Sequence, residues 1–150
     1  MIHNMKIFVG SDHNGFTHKA KIISYLEKQG HDVVDVSSGP LNQNDDFPVF
    51  ARKAVADILA SSEKDSRGIL VCGSGQGMCM AANRFKGIRA LLGYDRESVH
   101  SARNDDDANV LCLGVSTLEK DIEMNLINTF LHTPFAAAPR FMRRIREMDQ

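Results

Sequence analysis

The sequence carries almost no excess charge of either sign: 18 Lys and Arg stand against 19 Asp and Glu, leaving a formal charge of -1. No global field therefore draws the chain to nucleic acid or to a membrane surface, and any basic site must be local. Cysteine is scarce as well. Cys72, Cys79 and Cys112 form no Cys-x-x-Cys pair, and three thiols cannot all be paired within one chain, which points to a reducing, cytoplasmic setting. No stretch approaches the ~18 consecutive apolar residues of a membrane span, and polar His3 and Asn4 interrupt the start where a signal peptide would be apolar. Internal repeats and interdomain linkers are missing too. The 150 residues, 43% of them apolar, are expected to form one domain, 1–150, with a core of its own.

What is present is an alternation of short apolar runs with longer segments of helical period. Lys6 to Gly10, Val33 to Val36, Gly68 to Cys72, Ile88 to Leu92 and Asn109 to Leu113 read as strands. Helices are expected over Phe16 to Lys28, Phe47 to Leu59, Met78 to Phe85, Glu97 to Arg103, Leu118 to Leu131 and Pro139 to Met148. Strands that are nearly all apolar belong in a parallel sheet covered on both faces. The expected fold is therefore α/β: a three-layer αβα, doubly wound, Rossmann-like five-stranded parallel sheet in the order 2-1-3-4-5. Ser37 to Asp46, with Gly39, Pro40 and several Asn and Asp residues, reads as a surface loop.

In such sheets ligands gather beyond the carboxyl ends of the strands where the strand order reverses, here between the first and third strands. Both strands end in polar, glycine-containing segments: Gly10-Ser11-Asp12-His13-Asn14-Gly15 and Cys72-Gly73-Ser74-Gly75-Gln76-Gly77. Cys72 sits where a buried strand gives way to a helix, near unpaired backbone N–H groups that stabilise a thiolate, so it is either a general base or a small core residue. Cys79 and Cys112 read as core. Three glycines remove the Cβ atoms that would block an anion, so Gly73 to Gly77 can serve as an oxyanion hole, a phosphate cradle or a plain turn. The run has neither the Lys-Ser/Thr ending of a Walker A loop nor the Gly-x-Gly-x-x-Gly dinucleotide pattern, which disfavours a phosphotransferase or a dehydrogenase.

Asp12 and His13 offer a carboxylate and an imidazole at the same crevice, with helix capping as the rival role for Asp12. Arg140 and Arg144 lie four apart on the last helix and can grip a dianion from one face, or belong to a solvated basic helix with Arg143 and Arg146. Asn104-Asp105-Asp106-Asp107-Ala108-Asn109 reads as a turn before the fifth strand. Sugar contacts remain open for Asp106 and Asp107, and the segment has no EF-hand spacing.

Taken in order along the chain, several motifs resemble the family of ribose-5-phosphate isomerase B and the galactose-6-phosphate isomerase subunits. They are Gly10-Ser11-Asp12-His13-Asn14-Gly15-Phe16, Asp46-Phe47-Pro48, Ile69-Leu70-Val71-Cys72-Gly73-Ser74-Gly75-Gln76-Gly77, Ala81-Ala82-Asn83-Arg84, Gly87-Ile88-Arg89-Ala90 and Asn109-Val110-Leu111. The resemblance implies a cofactor-free, metal-free aldose–ketose isomerase of ribose 5-phosphate in a homodimer, or a dimer of two such dimers, with its pocket at the subunit interface. It implies Cys72 as the base that moves a proton between C1 and C2, the Gly73 to Gly77 backbone with Gln76 holding the enediolate, and Ser74 as the loop hydroxyl. Asp12 would contact sugar hydroxyls, while His13, Arg140 and Arg144 would meet the phosphate. Asp105, Asp106 and Asn109 would reach the sugar from the second subunit.

The departures from the family concern the substrate. Asp105-Asp106 stand where the family usually has His-Asn, so the ring-opening imidazole is gone and Asp105 becomes the candidate acid or base. No arginine follows Gly114 at Val115 or Ser116, and Phe47 and Phe141 replace the usual Tyr and His. A six-carbon phosphate of the galactose- or allose-6-phosphate type is therefore an alternative substrate, and a non-catalytic sugar-phosphate-binding homologue an alternative class.

Overall fold

In the computed structural model, which describes residues 3–150, parallel strands run β1 Lys6–Ser11, β2 Asp32–Asp35, β3 Arg67–Cys72, β4 Ala90–Leu92 and β5 Val110–Gly114. The helices are α1 Phe16–Lys28, α2 Phe47–Ala60, α3 Gln76–Ala82, α4 Arg96–Asp106, α5 Glu123–His132 and α6 Pro139–Met148. Each begins for a local reason. A 3-10 turn, His13–Gly15, capped by Asp12, leads into α1; Pro48 pre-sets the first turn of α2. The α4 start is a capping box, with Ser98 N–H donating to Asp95 Oδ1 at 2.7 Å.

Alternate residues of each strand feed two cores. Ile7, Val9, Ile69, Val71, Leu111 and Leu113 face one way, under α1, α4 and α5. Phe8, Leu70, Cys72, Val110 and Cys112 face the other way, under α2 and α3. The layering is thus αβα, as expected from strands too apolar to expose either face. Helix α6 is the exception, for none of its residues is buried. It is tied down at both ends instead: Ala136 N–H donates to the Asn104 carbonyl at 3.0 Å, and the Asp149 carboxylate accepts from Gly87 N–H at 3.2 Å.

The strand order is β2-β1-β3-β5-β4, not 2-1-3-4-5. The reason lies in relative burial. All five residues of β5 are buried, and an interior position bonded to both β3 and β4 covers them. Strand β4 has only three residues, two of them half-exposed, which suits an edge. The reversal between β1 and β3 is untouched, so the predicted position of the site, at the carboxyl ends of these two strands, is unchanged. Two further boundaries move. Helix α4 runs on to Asp106, with left-handed Asp107 (φ 49) as its cap, so Asp105 and Asp106 lie in a last helical turn and not in a loop. Residues 118–122 precede α5 as turns.

Candidate active site

The loop after β1 is pressed against β3. Asp12 N–H donates to the Val71 carbonyl at 3.3 Å, and a Cβ on Gly15 would lie 2.7 Å from that same oxygen. Only a glycine lets the backbone come so near. Asp12 is 5% exposed, and its Oδ1 accepts from the Asn14 and Gly15 amides at 3.0 and 3.3 Å. The capping role weighed for it is therefore filled. His13 is half-buried, and its Nδ1 lies 2.7 Å from Asp45 Oδ1. The Asp45 bond pushes His13 above the ordinary imidazole value; partial desolvation works the other way, and the charges of Asp12 and Asp45 reinforce the rise.

Cys72 closes β3 and is 4% exposed, its side chain packed among the residues under α2 and α3. Its sulfur is not without polar company. The Gly75 amide donates to Sγ at 3.2 Å, from a left-handed glycine (φ 77) that turns the chain into α3. The exposed Ser74 accepts through Oγ from the Gln76 amide at 3.3 Å. Glycine is required around this loop by close approach. A Cβ on Gly114, opposite Cys72 in the β5 register, would sit 2.3 Å from the Ser74 carbonyl, and one on Gly77 would strike the Phe47 ring at 2.6 Å. Gly73 faces the Asn14 amide, 3.4 Å from where its Cβ would be. One end of the sheet thus gathers Asp12, His13, Cys72 and the Gly73–Gly77 loop.

Sequence reasoning missed Asp45 as part of this cluster. Asp45 gave no signal beyond lying in a polar loop, because its contact with His13 spans 32 residues. Asp12, His13 and Asp45 also bring one ligand atom each within 4.8 Å of one another. Their hydrogen bonds account for that closeness: Asp45 Oδ1 and His13 Nδ1 are bonded to each other, and Asp12 Oδ1 holds two amides.

The remaining nominated residues are at the opposite end. Because α4 runs antiparallel to the strands, Asp105 and Asp106 lie at the amino end of the sheet, about 15–20 Å from Cys72 by the rise of a strand this long. Asp105 Oδ1 accepts from the Asn104 side chain at 2.8 Å. Asp106 is pushed above the usual carboxylate range by desolvation and by Asp105, while Arg144 and Arg89 pull it down. Asn109 is occupied: its Oδ1 accepts from Arg89 N–H and its Nδ2 donates to the Gly87 carbonyl, both at 2.8 Å. Arg140 stacks on Phe141 at 4.3 Å from the ring centroid and is exposed, as is Arg144. The nominated residues of one chain therefore fall into two groups at opposite ends of the sheet.

Residues 7–148 match the family model described as Ribose/Galactose Isomerase. This chain belongs to the ribose/galactose isomerase family. Its relatives in that family include a ribose-5-phosphate isomerase B from Mycolicibacterium paratuberculosis, 35% identical over 94% of this chain and 87% of that protein. Among solved structures, ribose-5-phosphate isomerase B from Thermotoga maritima is 39% identical, with a TM-score of 0.90 over 98% of this chain and 99% of that one. The enzyme from Mycoplasma genitalium, solved with bound ribulose 5-phosphate, is 36% identical, with a TM-score of 0.88 over 96% of this chain and 93% of that one. Membership of the family agrees with the resemblance carried by the motifs along the chain. Among the described residues no helix is long and apolar enough to cross a membrane.

Proposed function

We propose that this chain is an aldose–ketose isomerase that converts ribose 5-phosphate to ribulose 5-phosphate, and that it works as a cytoplasmic homodimer. The observation that carries the reading is Cys72 Sγ accepting the Gly75 amide at the carboxyl end of β3, the end of the sheet at which Asp12 and His13 also lie. Its three cysteines are all free, which fits a reducing compartment.

In this mechanism the Cys72 thiolate takes the C2 proton of the open-chain aldose, and the electron pair released moves through the new C1–C2 double bond onto the carbonyl oxygen at C1, giving an enediolate. The C2 hydroxyl passes its proton to the C1 oxygen, and the thiol then returns its proton to C1 as the C2 oxygen becomes the carbonyl, so that no oxidant or reductant is consumed. Amides of Gly73, Gly75, Gln76 and Gly77 with the Ser74 hydroxyl stabilise the charge that develops on oxygen. Asp12 binds sugar hydroxyls and His13 the phosphate. Opposite ends of one sheet cannot close on one sugar, so the second half-site comes from the other copy: Arg140 and Arg144 of the partner subunit on the phosphate, and the partner's Asp105 as the ring-opening acid or base. Asp106 of the partner subunit would supply a sugar contact. The two amide bonds of Asn109 support a role in holding that segment in place of a sugar contact.

A panel of five- and six-carbon aldose phosphates in deuterated buffer tests this directly. Ketose should appear with deuterium incorporation for ribose 5-phosphate, and Cys72→Ala should abolish it. The carboxylates at Asp105 and Asp106 favour a second substrate reading, and preference for a galactose- or allose-6-phosphate would establish it. Thermal stabilisation without turnover by any member would leave a binding protein.

A further inference from the structure

Asp45 has no part in the reaction above, yet it is bonded twice to a residue that does. Its Oδ1 accepts from the His13 backbone N–H at 3.0 Å and lies 2.7 Å from Nδ1 of the same residue. The loop between β2 and α2 holds that carboxylate in place, for Asp45 N–H donates to the Asn42 carbonyl at 3.2 Å and Asn44 N–H to Asn42 Oδ1 at 3.0 Å. An ionised carboxylate can only accept, so Nδ1 must carry a hydrogen, and Nε2 is the ring atom left for a ligand. A neutral ring in that tautomer presents a lone pair at Nε2, which repels a phosphate oxygen. Only the imidazolium presents N–H there. The charged groups facing the ring are Asp12 from its own turn and Asp45 from the neighbouring loop, and both favour the imidazolium.

We propose that Asp45 is the positioning residue for phosphate capture: from the loop after β2 it clamps His13 in one tautomer and keeps it charged, so that Nε2–H meets the sugar-phosphate dianion. The proposal rests on the phosphate role given to His13 above. Asp45 itself touches no substrate. It acts through the ring, as carboxylates behind ligating histidines do elsewhere.

The test is a titration of the His13 ring by NMR, assigned with His13→Gln, together with steady-state kinetics from pH 6 to 9, in the full-length protein and in Asp45→Asn. The amide cannot carry the negative charge, so the His13 titration should move to lower pH. At pH 8 KM should rise about tenfold while kcat changes less than about threefold, the pattern of a lost charge-assisted contact made in ground and transition state alike. The phosphate of the substrate titrates in the same range but identically for both proteins, so the difference belongs to the enzyme. In the His13→Gln background Asp45→Asn should add almost nothing, because the two act as a unit. Asp45→Glu should recover part of the loss. An unchanged KM at pH 8, a fall confined to kcat, or an equal effect with and without His13 would each overturn the proposal. If no sugar phosphate is turned over, the functional reading falls while this one stays decidable with inorganic phosphate. Equal phosphate affinity in the native protein and Asp45→Asn would then sink it.

Discussion

Gly114→Ala offers a severe test of the loop geometry, because the added methyl would lie 2.3 Å from both the carbonyl carbon and the oxygen of Ser74. Ordinary carbon contacts begin near 3.4 Å, so the two backbones must part by about 1 Å. Neither can do so freely. On the β5 side, Gly114 is bonded through its carbonyl to the Thr117 and Leu118 amides at 3.2 and 3.1 Å, and the Val115 and Ser116 amides hold the Cys72 and Gly73 carbonyls at 3.0 and 2.8 Å. On the loop side, Gly75 has no room either, since its own Cβ would lie 3.0 Å from Gly114 N. Overpacking of this kind costs about 1–3 kcal/mol. For a chain of this length each kcal/mol lowers Tm by about 2–4 °C. The functional effect should be larger, for a displacement of about 1 Å in an anion-stabilising loop can cost on the order of 100-fold in kcat. Gly68→Ala is the control: its methyl would meet the Ile58 Cδ1 side-chain end at 2.8 Å, which can swing aside. Thermal melting and isomerase kinetics on both variants decide the matter. Equal Tm and equal kcat for Gly114→Ala and Gly68→Ala would refute the claim that the loop is locked against β5.

Asn109→Ala should destabilise the fold by about 1–3 kcal/mol, since it strips partners from Arg89 N–H and the Gly87 carbonyl, while leaving KM near its native value once folded protein is counted. Urea unfolding with matched kinetics reads both, and a large rise in KM at unchanged stability would return Asn109 to the sugar site. Coexpression of Cys72→Ala with Arg144→Ala tests the shared site. Each homodimer should be nearly inactive, but the mixed dimer keeps one site with native Cys72 and native Arg144, so purified heterodimer should regain about half the native rate. Absence of recovery in a verified heterodimer would mean that Arg144 serves its own chain's Cys72.

The layering and the site at the β1–β3 reversal were legible because they depend on local pattern: runs such as Ile69-Leu70-Val71 and the polar residues that end them. The order of β4 and β5 was not, since it turns on which of two short strands can bury more, a comparison made only in the assembled sheet. The end of α4 was hidden by its composition. Asn and Asp favour turns, and four such residues in a row, Asn104 to Asp107, read as one. The helix nevertheless continues because Arg103 pairs with Asp107 at 2.9 Å and Asp107 tolerates the left-handed cap. Asp45 shows the opposite failure: its contact with His13 joins two loops, and no periodicity records such a contact.

Helix α4 also changes how the exchange of an imidazole for two carboxylates is to be understood. Asp105 and Asp106 are successive residues on the last turn of a helix, and the charge of Asp105 is one of the causes that push Asp106 upward, after desolvation. In the proposed dimer a second protein surface closing over Asp106 would deepen that desolvation and raise it further. A carboxyl group that keeps its proton beside one that does not supplies both an acid and a base, the two functions that opening a sugar ring requires. The loss of the imidazole is then compatible with catalysis, provided that Arg144 and Arg89, which favour the ionised form, do not outweigh the neighbour. On the proposed mechanism, the balance between a carboxylate and two guanidinium groups at Asp106 then sets whether the amino-end group can do chemistry or only bind.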